Sequence, residues 1–90
     1  MQIILRNIME DYVIVTLDRI AADLDCCKCE KCRLDISCYA LNRLPAKYVA
    51  TTQGELMTKL CQFDNQFETK VIAELTAAAE QIKKNPRHIY

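Results

Sequence analysis

The chain has one glycine, two prolines, one histidine and no tryptophan among its 90 residues, and its net charge is zero. So few breakers disfavour turn-rich β architectures, and many Ala, Leu, Ile, Glu and Lys residues tilt intrinsic propensity toward helix. Twelve basic residues are matched by twelve acidic ones, which removes the positive excess that general nucleic-acid binding through phosphates requires. The single histidine, His88, sits in the C-terminal tail, away from any nucleophile it would have to activate. A glycine-rich phosphate loop is also missing, and the paired acids Glu10 and Asp11 fall on the solvated side of a helical pattern. An enzyme is therefore not expected. No apolar run reaches the ~20 residues of a membrane span. The opening "MQIILRNIMEDYVIV" is interrupted by Arg6, Glu10 and Asp11, which excludes the apolar core of a signal peptide. A cytoplasmic protein is expected, in which disulfides would not persist.

What the sequence does have is cysteine: six residues, four of them in "CCKCEKC", residues 26–32. A single domain over residues 1–90 buries too little surface for a generous core, and short chains make up the deficit with disulfides, a metal or a partner subunit. A disulfide staple suits neither the spacing nor the compartment. A thioredoxin-like pair would follow a strand in a βαβ pattern, and no such pattern is visible. Clustered thiolates select zinc or an iron–sulfur cluster. Two registers are open: Cys26, Cys29 and Cys32, or Cys27, Cys29 and Cys32, with Cys38 or Cys61 as the fourth ligand. For an iron–sulfur cluster the fourth cysteine should follow three residues on and precede proline; it does not, so zinc is favoured. Cys38 can reach the metal only if the following helix starts near Leu34 or Asp35. Cys61 suits a small buried residue better.

The hydrophobic pattern predicts an all-α fold, a small helical domain around this cysteine knuckle. Over residues 3–24, Ile8, Met9, Tyr12, Val13, Thr16, Leu17, Ile20 and Leu24 share one arc of a helix. Ile4, Ile14 and Val15 widen the apolar surface beyond one core contact. The knuckle occupies 25–32, and a second helix spans about 33–44, ended by Leu44-Pro45. "PAKYVATTQ" reads as a short extended connection. Thr52-Gln53-Gly54-Glu55 reads as a capping box opening a helix over 53–84. Its stripe is Leu56, Leu60, Phe63, Phe67, Val71, Leu75, Ala78 and Ile82, and Asn85-Pro86 stops it. Unbroken, it would be ~45 Å long, more than a chain this short can cover. It either breaks near 64–65 or packs on a second chain. A two-fold homodimer joined through long helices is expected.

The segment "CKCEKCRLDISCYALNRLPAKYV", residues 27–49, and the following "TTQGEL" resemble the late competence development protein family, ComFB. The resemblance covers most of the chain, and C-x-C-x2-C followed by R-L-D and A-L-N-x-L-P is specific. It implies small, mainly helical, cytoplasmic homodimers with structural Zn2+ held by the cysteines of this segment, in the register Cys27, Cys29 and Cys32 with Cys26 free; many relatives carry alanine or another residue where this chain has Cys38, the expected fourth ligand. Some members are receptors for cyclic dinucleotides, c-di-GMP or c-di-AMP. Relatives commonly carry Pro-Pro where this chain has Pro45-Ala46.

The residues themselves permit such a ligand. Lys28, Lys31, Arg33, Arg43 and Lys47 outnumber Glu30 and Asp35 by three within twenty residues. Arginine forks match phosphate and guanine edges, and tyrosine can stack on a base. Arg33, Asn42, Arg43, Lys47 and Tyr48 are the candidate contacts. Against this, lysines near cysteines often only offset thiolate charge, and Asn42 is equally suited to capping the turn. The expected function is a zinc-stabilised regulatory dimer that binds a cyclic dinucleotide or a protein partner. A structural adaptor dimer without a small-molecule ligand and an iron–sulfur redox sensor are the alternatives.

Overall fold

Residues 3–7 form a strand where the sequence pattern predicts the start of a helix. The computed structural model describes residues 2–61 and 65–84, with the side chains at 57, 59–61, 65 and 66 outside that description. Its elements run β1 (Ile3–Asn7), α1 (Ile8–Ile20), a 3-10 turn (Ala21–Asp23), α2 (Glu30–Leu41), β2 (Tyr48–Thr52), α3 (Gln53–Cys61) and α4 (Asn65–Lys84). β1 and β2 pair antiparallel, with Ile3 opposite Thr52 and Asn7 opposite Tyr48. The all-α expectation is thus corrected to a mixed fold, mainly helical with one two-stranded sheet.

Asn7 explains the change at the N-terminus. Its backbone is extended, and its side-chain Oδ1 accepts from the Met9 N–H at 3.2 Å, which makes it the N-cap of α1. Glu10 and Asp11 follow in the first turn, where the helix dipole favours acids. The same Oδ1 accepts from the Lys47 N–H at 2.9 Å, and the Ile8 N–H donates to the Lys47 carbonyl at 2.8 Å. One asparagine thereby starts a helix and fastens the end of the sheet. The helix expected over 3–24 is accordingly a strand, a thirteen-residue helix and a 3-10 turn.

The helical arcs pack as the pattern predicts. Met9, Tyr12, Val13 and Leu17 of α1, Ile36 and Ala40 of α2, Leu44, and Val71, Leu75, Ala78 and Ala79 of α4 form one buried cluster. Phe67, Tyr39, Ile20, Leu24 and Ile82 pack against it, half-buried. Leu56 of α3 is buried as well; Leu60 and Phe63 lie outside the described side chains. Thr52 caps α3: its Oγ1 accepts from the Glu55 N–H at 3.3 Å and donates to the Glu55 carboxylate at 2.8 Å. α3 ends at Cys61 and α4 starts at Asn65; the break expected near 64–65 falls at a junction outside the described residues, as does the stop at Asn85-Pro86. α1 and α2 form an αα-hairpin, tied near its closed end by an Arg33–Asp18 ion pair. The loop is tied to α4 by Lys83 and Asp25 at 2.6 Å. That contact holds the Asp25 carboxyl below its usual range and raises Lys83.

Candidate metal centre and the basic segment

The hairpin loop delivers three thiols to one point. The Sγ atoms of Cys27, Cys29 and Cys32 all lie within 4.8 Å of one another, the only such cluster of potential metal ligands among the described residues. Three local features place them. Cys27 leaves the loop exposed; Cys29 is the N-cap of α2, in extended backbone; Cys32 is in the first helical turn and fully buried. As the N-cap, Cys29 uses its sulfur to accept from the Cys32 N–H at 3.5 Å. Sulfur is a weak acceptor, so a residue chosen only for capping would be Ser, Asp or Asn. A thiol at this position points to another duty for the sulfur.

The chemistry of the donor set fits a thiophilic cation. Burial pushes the Cys32 thiol up to about 12, helped by its hydrogen bonds to the Cys29 and Cys27 sulfurs and by their charge. A divalent ion inverts that balance, because a coordinated thiol is deprotonated outright. Three sulfurs at this spacing suit zinc, which takes thiolates at ~2.3 Å in tetrahedral geometry. Lys28 closes the loop, donating to the Leu24 carbonyl at 2.6 Å and the Cys26 carbonyl at 3.3 Å.

Cys38 stands apart from the trio. The second helix, expected over about 33–44, begins at Glu30 and ends at Leu41, so Cys32 and Cys38 are both helical. Six residues of α-helix separate them by ~9 Å along the axis and turn them to different sides. The condition for Cys38 to reach the metal, a helix starting near Leu34, is not met, and Cys38 is exposed. Cys26 is half-buried against the core, outside the trio. The Cys61 side chain and His88 lie outside the described residues.

The basic residues divide into two groups at opposite ends of α2. At the N-terminal end, Lys31 pairs with Asp35 at 3.0 Å and Arg33 with Asp18. At the other end, the Arg43 guanidinium lies 4.7 Å from the centre of the Tyr39 ring, and Lys47 Nζ lies 5.6 Å from that of Phe67. Asn42 is the C-cap of α2, its backbone N–H donating to the Cys38 and Ala40 carbonyls, and Tyr48 is exposed at the start of β2. Of the five candidate ligand contacts, Asn42, Arg43, Lys47 and Tyr48 thus share one connecting segment, and Arg33 belongs to the α1–α2 side. The sequence reading missed the sheet's outer face. The pairing register places Ile3, Leu5, Tyr48 and Ala50 together on it, with Ile3 at 69%, Leu5 at 78% and Tyr48 at 65% exposure. No helix among the described residues is long and apolar enough to cross a membrane.

Fold and site together define a small, mainly helical module with a three-thiol centre at the mouth of a helical hairpin. The family model described as "Late competence development protein ComFB" matches residues 6–86, and the chain belongs to that family. It is similar to the solved late competence protein ComFB from Bacillus subtilis, with a TM-score of 0.83 at 25% identity, covering 96% of each chain. No curated protein matches its sequence.

Proposed function

We propose that this competence-family protein is a non-enzymatic regulatory module, built as a homodimer and stiffened by one structural zinc per chain. The observation that carries the reading is the convergence of Cys27, Cys29 and Cys32 within 4.8 Å. Zinc there would pin the loop to the first turn of α2 and so hold the angle of the hairpin. The outer sheet face supplies the dimer contact: Ile3, Leu5 and Tyr48 form an apolar surface that a lone subunit leaves in water. The segment from Asn42 to Tyr48 offers two cations and an exposed aromatic ring, a combination that suits a cyclic dinucleotide, itself a two-fold dianion.

Elemental analysis should find one zinc per chain, lost in Cys32→Ser and kept in Cys38→Ser. Sedimentation should show a dimer that Leu5→Glu dissociates. Calorimetry with c-di-GMP and c-di-AMP should give a signal that Arg43→Ala abolishes. Metal-free protein with an intact hairpin would remove the zinc reading, and a flat titration of well-folded dimer would leave an adaptor without a small-molecule ligand.

A further inference from the structure

We propose that the groove between α1 and α2 docks a short amphipathic helix of a partner protein, basic at both ends. The groove is a cleft of about 340 Å³ lined by Ile14, Leu17, Glu30, Arg33, Leu34 and Ser37. Leu17 is buried at its floor, while Ile14 and Leu34 on its walls are 50% and 57% exposed. A hairpin that needed only its own core would carry polar residues at those two positions. Large apolar side chains facing each other across a cleft are the usual receptor for the apolar stripe of a helix.

Charge decides the occupant. The arginines of β1, α1 and the start of α2 are engaged: Arg33 with Asp18, Arg6 with Asp11 and Arg19 with Glu68. Glu30 at the cleft, and Glu10 one turn before Ile14, are exposed and take part in none of the ion pairs among the described residues. Because the hairpin runs antiparallel, Glu10 stands toward its open end and Glu30 toward its closed end. The groove therefore has an apolar middle with Glu30 at one end, and Glu10, one helical turn beyond Ile14, stands past the other. From Glu10 to Asp18 it measures ~12 Å along α1, a match for apolar residues at i, i+4 and i+7, which span ~10 Å. A second copy of this chain is a poor occupant, since its own α1–α2 face would bring Glu10 and Glu30 against the same acids. A partner helix with Lys or Arg in its first and last turns meets both requirements.

The probe is a labelled 16-residue helical peptide with Leu at i, i+4 and i+7 and Lys in both terminal turns, titrated with the full chain and followed by fluorescence anisotropy. Saturable binding that weakens with added salt is expected. Leu34→Glu should weaken it about tenfold or more, as for a central interface residue, with circular dichroism unchanged. Ala77→Glu, at an exposed position of α4 that does not line the cleft, should not affect it. The double variant Glu10→Lys with Glu30→Lys should lose the Lys peptide and gain the same peptide carrying Glu. The proposal is overturned if binding is not saturable, if wild type takes the Glu peptide equally well, or if Leu34→Glu has no effect. It is also overturned if Leu34→Glu turns a dimer into a monomer, because the groove would then be a contact between copies.

Discussion

Cys29 has two duties that substitution can separate. Its sulfur belongs to the thiol trio, and the same atom caps α2 by accepting from the Cys32 N–H at 3.5 Å. Serine keeps the cap and improves it, because oxygen accepts better than sulfur, but it cannot supply a thiolate to zinc. Alanine removes both. In chelator, Cys29→Ser should therefore exceed Cys29→Ala by about 1 kcal/mol, the usual worth of a Ser N-cap over Ala. With 90 residues, the unfolding entropy near the midpoint is roughly 0.19 kcal/mol/K, so that difference is about 5 °C in Tm. Wild type in chelator should fall between the two variants. With zinc at a thousandfold its Kd, wild type should gain about 4 kcal/mol by mass action, roughly 20 °C, and neither variant should follow it. The order of stability is thus Ser, Cys, Ala without metal, and Cys far ahead of both with it. Scanning calorimetry at one fixed protein concentration reads the whole series. Equal Tm for Ser and Ala in chelator would refute the capping role, and a wild-type Tm indifferent to zinc would refute the structural metal.

Leu75→Ala, at a fully buried position in the α4 stripe, should cost about 2–5 kcal/mol and lower Tm by roughly 10–25 °C in the same calorimeter; a loss under 1 kcal/mol would mean α4 does not carry the core. The Asp25–Lys83 contact predicts a pH signature. Lys83 depresses the Asp25 carboxyl, so its stabilising effect is present above the ordinary aspartate pKa and disappears as pH falls through the lowered value. The reciprocal rise on Lys83 fades only as pH climbs past the ordinary lysine range. Carboxyl NMR should find Asp25 titrating below its model-peptide value, and Lys83→Met should move it back up. An unmoved Asp25 would show that the loop is not tied to α4.

How far the sequence spoke depended on how local each signal was. The helical arcs of α1 and α4 were legible because they repeat over several turns, and Met9, Tyr12, Val13 and Leu17 of the one and Val71, Leu75 and Ala78 of the other are buried, with Ala79 added by the structure. The capping threonine before α3 was legible for the same reason: Thr52 and Glu55 are three residues apart. The sheet was not, although its parts were in view. Asn7 with Glu10 three positions on is an N-cap signature that places a helix start at Ile8, and "YVATT" is rich in aromatic and β-branched residues that suit a strand. Five residues of Ile-Ile-Leu-Arg-Asn read equally well as another turn of helix. Only pairing with Tyr48–Thr52, more than forty positions away, makes them a strand, and no local pattern reports a partner that distant. Cys29 failed differently. Cysteine is not a preferred cap, so the pattern predicts a start of α2 near residue 33, three residues later than Glu30, and only a late start would let Cys38 join the trio. The sulfur that hid the helix start is the same sulfur the metal reading needs. As the cap, Cys29 fixes the first turn of α2 to the loop, and a helix begun at Glu30 carries Cys38 away from Cys27, Cys29 and Cys32, the thiols that converge at the mouth of the hairpin among the described residues.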